Sequence, residues 1–147
     1  MKDHLRDNFF TIDGATLADG RYLIKIVASD VPDNPPGQTL TGERLSEPLD
    51  IDNTPPVVRV VGTPQVRGDS VRVVFQAEDA TGRIRRADAS LDGAPWSATF
   101  PDDGIADSSK EQYSLDFPLR TPGEHTISLR VFDTSGNVGT LSVTTRR

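Results

Sequence analysis

Cysteine is missing from all 147 residues, which excludes disulfides, thiolate chemistry and cysteine-ligated zinc or iron–sulfur centres. Its absence leaves the compartment open, because an exported domain of this size can rest on a hydrophobic core alone. Histidine occurs only at His4 and His125. No Ser/His/Asp set has the spacing of a nucleophile motif, and no GxGxxG, P-loop or HExxH pattern occurs. The chain is therefore expected not to be an enzyme and to need no organic cofactor. No apolar stretch is long enough to cross a bilayer, so no membrane insertion is expected. Met1 to Asp7 lacks the apolar core of a signal peptide. Either the chain is cytosolic or its exported parent was cut before this point. Basic residues are the minority, 16 Lys and Arg against 22 Asp and Glu, for a net charge of −6. That balance argues against a nucleic-acid partner, which needs clustered cations to displace phosphate counterions.

What is present is alternation with period two. Val71, Val73, Phe75 and Ala77 alternate with Arg72, Val74, Gln76 and Glu78, the pattern of a half-buried strand. Tyr113, Leu115 and Phe117 follow the same rule, as do Ile127, Leu129 and Val131. Between the strips stand Arg67-Gly68-Asp69-Ser70, Asp92-Gly93, Pro122-Gly123 and Ser135-Gly136-Asn137, all turn chemistry. Seven strands are predicted after Thr54, at about 57–62, 70–78, 84–91, 95–100, 111–119, 124–133 and 138–145. This predicts an all-β fold, with residues 54–147 as one complete antiparallel immunoglobulin-like sandwich.

The stretch before Thr54 repeats part of that pattern. Gly20-Arg21-Tyr22-Leu23-Ile24-Lys25-Ile26 aligns with Gly123-Glu124-His125-Thr126-Ile127-Ser128-Leu129, an offset of 103 residues (123 − 20), and brings Asp30 onto Asp133. Residues 1–53 thus read as the last three strands of an earlier sandwich, near 8–13, 21–29 and 45–51. The prolines and glycine between Val31 and Arg44 read as a long connection.

Leu17-Ala18-Asp19-Gly20-Arg21-Tyr22 resembles the tyrosine corner of fibronectin type III modules. Asp50-Ile51-Asp52-Asn53-Thr54-Pro55-Pro56 resembles the linker of tandem immunoglobulin-like modules in large exported bacterial proteins, and residues 122–137 resemble their last hairpin. His125 departs from the pattern by standing at the corner tyrosine's place. The resemblance implies a spacer or adhesion module at the cell surface, in the periplasm or outside the cell. Its implied partners are other modules of the parent protein. A ligand-binding sandwich and an accessory domain of an enzyme are the rival readings. The apolar residues of 1–53 also need a cover, supplied by residues 54–147 or by self-association of that segment.

Four features bear on binding. Asp52 and Asn53 in the linker, Asp79, Asp103, Asp133 and Asn137 belong to segments that a seven-strand sandwich gathers at its entry pole. Oxygen ligands of this kind suit calcium. Alternatively, Arg83, Arg85 and Arg86 neutralise the carboxylates, and Asp and Asn simply build turns. Arg67-Gly68-Asp69-Ser70 spells an integrin-binding tetrapeptide, but Gly-Asp also suits a tight turn. Trp96 is either a carbohydrate platform or, as expected, packs on a sheet edge or in the core. His125 is expected to cap a corner rather than to catalyse.

Overall fold

The computed structural model describes residues 9–31 and 33–147. The chain divides into two compact units, Met1–Asp52 and Asn53–Arg147. His4 lies outside the described residues.

The second unit follows the alternation closely. Its strands are β5 (Val57–Val60), β6 (Gln65–Arg67), β7 (Ser70–Glu78), β8 (Ile84–Leu91), β9 (Ser97–Thr99), β10 (Lys110–Pro118), β11 (Glu124–Asp133) and β12 (Val138–Arg146). One sheet runs β10-β7-β5, with β6 also paired to β7, and the other runs β12-β11-β8-β9. All pairings are antiparallel. The chain changes sheet between β7 and β8, between β9 and β10 and between β10 and β11, which makes the unit an immunoglobulin-like sandwich.

The two inner faces meet in a single core. Val71, Val73, Phe75 and Ala77 of β7 are fully covered, as are Ile127, Leu129 and Val131 of β11 and Ile84 and Tyr113 from the flanking strands. Leu115 joins them, with Val58, Val60, Phe117 and Leu141 partly buried at the margin. The outward residues alternate with these because successive side chains on a strand point to opposite faces.

The turns explain the strand ends. Arg67 pairs with Ser70 across the two-residue loop Gly68-Asp69, and Gly68 has a φ of +61°. Glycine at the first loop position suits a type II′ hairpin. Asp92 and Gly93 both have positive φ, +53° and +72°, and Ala94 N–H closes the turn on the Leu91 carbonyl, as a type I′ turn requires. Gly139 has a different reason to be glycine. A Cβ there would lie 1.8 Å from the Pro56 carbonyl oxygen, where the chain entering β5 crosses β12.

The first unit holds β1 (Gly20–Tyr22), β2 (Lys25–Ser29), β3 (Thr41–Leu45) and β4 (Leu49–Ile51), preceded by a 3-10 turn at Gly14–Thr16. β1 pairs β4 and β2 pairs β3. They form one long hairpin, interrupted where Pro48 interrupts the supply of N–H donors. The Ser46 hydroxyl fills the gap by accepting the Ile24 N–H at 2.9 Å. The expected strand near 8–13 is not there: residues 9–13 form no strand, and residue 8 lies outside the described residues. Phe10 and Ile12 alternate correctly, but among the described residues no strand pairs with them in a ladder. Within the supposed connection, Thr41–Leu45 is a strand. Its polar side chains and Gly42 carry no alternation, and its pairing with β2 defines it. No described residue of this unit is buried.

Candidate functional site

The corners come first, because the backbone dictates them locally. The Tyr22 hydroxyl donates to the Ala18 carbonyl at 2.8 Å. In the second unit, His125 Nε2 faces the Thr121 carbonyl at 2.8 Å, again four residues back. A carbonyl can only accept, so Nε2 carries the proton. Nδ1 meets Asp92 Oδ2 at 2.7 Å. Two acceptors, one at each ring nitrogen, favour the imidazolium form of His125. Its pKa is raised, first by the Asp92 hydrogen bond and then by the Thr121 carbonyl. Asp92 is held below the usual carboxylate range by His125 and by the Thr126 N–H. Histidine therefore replaces the tyrosine without loss of the corner bond. It also ties the turn after β8 to β11.

The hairpin ends repeat as well. Asp30 N–H donates to the Leu40 carbonyl, and Asp30 Oδ1 accepts the Leu40 N–H at 2.7 Å. Asp133 N–H donates to the Asn137 carbonyl, and Asp133 Oδ1 accepts the Asn137 N–H at 2.9 Å. The same aspartate clamp closes both loops, although the first spans ten residues and the second four.

Of the six candidate ligands, the second unit gathers two carboxylates. Asp79 follows the last residue of β7, and Asp133 ends β11 at a register shift against β8. Their carboxylate oxygens lie within 4.8 Å of each other. Asp52 is the last residue of the first unit. Asp79 is 4% exposed and Asp133 0%. Asp79 Oδ1 accepts the N–H groups of Thr81 and Gly82 at 3.0 and 2.5 Å. Asn137 belongs with Asp133, donating its side-chain amide to Oδ2 at 2.8 Å. Asn53 is exposed next to Asp52. Asp103 is placed elsewhere, in an exposed turn where its Oδ1 accepts the Ile105 N–H. Its neighbour Asp102 is also committed, to Gln112 and Ser114.

The arginines do not join this group. Arg86 stacks on Phe132 at 4.0 Å from the ring centroid. Among the described residues, ion pairs in the second unit join Arg72 to Asp116, Lys110 to Glu78, His125 to Asp92 and Arg130 to Asp88. None involves Asp79 or Asp133.

Trp96 is neither buried nor clear of other side chains. It is 40% exposed, with the Arg130 guanidinium 4.5 Å from its ring centroid. Arg130 also binds Asp88 Oδ2 through Nε and a terminal nitrogen, at 2.9 Å each. One cation thus bridges an indole and a carboxylate on the outer face of the β8–β11 pair. The surface Arg67-Gly68-Asp69-Ser70 segment is the β6–β7 hairpin itself. Its Asp69 carbonyl accepts the Leu119 N–H at 2.7 Å.

No family model matches the chain, and no curated protein does. Among solved structures, it is similar to the PKD1 domain of Vibrio anguillarum Epp, at 20% identity and a TM-score of 0.49 over 65% of this chain and 95% of that one. It is also similar to the fibronectin(III)-like modules of Clostridium thermocellum CbhA, at 21% identity and 0.46. There the match spans 87% of this chain and 62% of the other. A third is the sulfane dehydrogenase SoxCD of Paracoccus pantotrophus, at 23% identity and 0.45, covering 57% of this chain and only 23% of that one. The sheet pairings themselves define the class: an immunoglobulin-like β-sandwich module.

Proposed function

We propose that the chain is a non-catalytic structural or interaction segment of a larger exported multidomain protein, serving as a spacer or adhesion region. On this reading, residues 1–53 are the closing strands of one module, and residues 54–147 are the whole of the next. The observation that carries it is the duplicated corner and clamp. Tyr22 with Asp30 and His125 with Asp133 perform the same backbone tasks at one constant offset. Duplication of closing strands is what a serial array of sandwiches produces. The titratable side chains are engaged in holding the fold: His125 Nε2 and the carboxylates of Asp92 and Asp102 hold backbone, and His125 Nδ1 holds Asp92.

The test is localisation in the source cell. Antibodies raised against the chain should label intact cells, or the periplasmic fraction, without permeabilising the inner membrane. Antigen found solely in the cytosol would overturn the exported-module reading.

A further inference from the structure

Two buried carboxylates make an unusual arrangement inside a sandwich where no described ion pair supplies a cation to them. Asp79 and Asp133 come from opposite sheets, and their oxygens meet within 4.8 Å. Buried like charges repel strongly unless a counter-ion sits among them. Arginine was the available protein cation, yet among the described residues no ion pair joins a lysine or arginine to Asp79 or Asp133. A second observation is independent of the charge. Asp79 Oδ2 is buried and has no hydrogen-bond partner, although its twin oxygen has two. A buried acceptor is ordinarily satisfied, so an orphan on a carboxylate marks the place of a missing positive group.

We propose that Asp79 and Asp133 bind a divalent cation, calcium. The donors are all oxygen, with no sulfur and no imidazole, which favours a hard cation over zinc or copper. Calcium accepts a flexible shell of about six to eight oxygens from carboxylates, carbonyls and water, whereas magnesium demands a near-ideal octahedron and keeps most of its water, so carboxylates fixed by the fold favour calcium. Asn137 holds Asp133 from behind, and the Thr81 and Gly82 N–H groups hold Asp79. This supporting layer aims ligands in metal sites generally. Backbone carbonyls and water would complete the shell, as is usual for calcium. The proposal is independent of the spacer reading and stands or falls separately.

The experiment uses the full chain, stripped with EDTA and dialysed. Calcium chloride is titrated in by calorimetry, and melting is followed with calcium, with magnesium and with EDTA. One saturable calcium site is expected, with a melting temperature raised by at least about 4 °C at saturation and a smaller response to magnesium. Asp79→Asn keeps an acceptor for Thr81 and Gly82, so it should fold, lose calcium binding at least tenfold and melt no lower than wild type in EDTA. Asp103→Asn should bind as wild type does. Absence of saturable binding by the wild-type chain at millimolar calcium would overturn the proposal. So would an Asp79→Asn variant that binds as tightly as wild type.

Discussion

His125 stands four residues after Thr121 and donates its Nε2 proton to that residue's carbonyl at 2.8 Å, the bond that Tyr22 makes to Ala18 at the same distance. The imidazole does more than the phenol, because its second nitrogen reaches across to Asp92 Oδ2 at 2.7 Å. Asp92 is the only described non-glycine residue with positive φ. A strained turn is thus fastened to the next strand by a charged pair, and that pair makes stability depend on pH.

The pKa of His125 is raised on folding. Its contribution is complete below the unfolded value, about 6.5, and is lost as pH rises through the higher folded value. Asp92 is lowered, so its contribution is present above about 3.9 and is lost as pH falls through the lower folded value. Melting temperature should therefore be highest between about pH 4 and pH 6.5 and decline on both sides. A series of melts measures this, and His125→Gln should flatten the alkaline decline. An alkaline decline unchanged in that variant would refute the assignment.

Gly139 predicts a steric failure. Alanine there would drive its Cβ to 1.8 Å from the Pro56 carbonyl oxygen, and backbone cannot yield as a flexible side chain would. Gly139→Ala should cost about 1–3 kcal/mol in urea unfolding. Gly42→Ala, where nothing lies within 4 Å, should leave the urea transition in place.

Core and margin should separate cleanly. Leu129 is fully buried between the sheets, whereas Leu141 is only partly covered on β12. Leu129→Ala should cost about 2–5 kcal/mol by denaturant titration, and Leu141→Ala distinctly less. Equal losses would mean that the margin of the core is misplaced.

The first unit predicts association. Ile26 and Val27 on β2 and Leu45 on β3 are 63%, 58% and 57% exposed. A two-stranded hairpin with apolar residues in water is marginal by itself. Light scattering should show a mass rising with concentration above the 16.0 kDa of one chain, and Val27→Asp should suppress the rise. A constant monomer mass at all concentrations would exclude self-association.

The sequence by itself determined every strand of residues 53–147 except β6, and most of their inward faces. Val71 to Ala77 and Ile127 to Val131 alternate with period two, and Asp92-Gly93 and Gly68-Asp69 announce their own turns through backbone chemistry that neighbours hardly influence. It also showed that Gly20 and Gly123 head matching strips of residues. Tertiary structure decided everything that depends on a distant partner. Phe10 and Ile12 look like a strand, but a ladder needs a partner strand from elsewhere in the chain, and residues 9–13 form no strand. Thr41–Leu45 looks like a loop, yet β2 pairs with it. β6 escaped notice because three residues are too few to show a period. The acidic pole divides in the same way. Composition suggested six oxygen donors, but only the crossing of two sheets could bring Asp79 to Asp133 and leave Asp103 in its own turn. Alternation and turns are written in adjacent residues, whereas side chains from different strands meet only where the packed sheets place their ends.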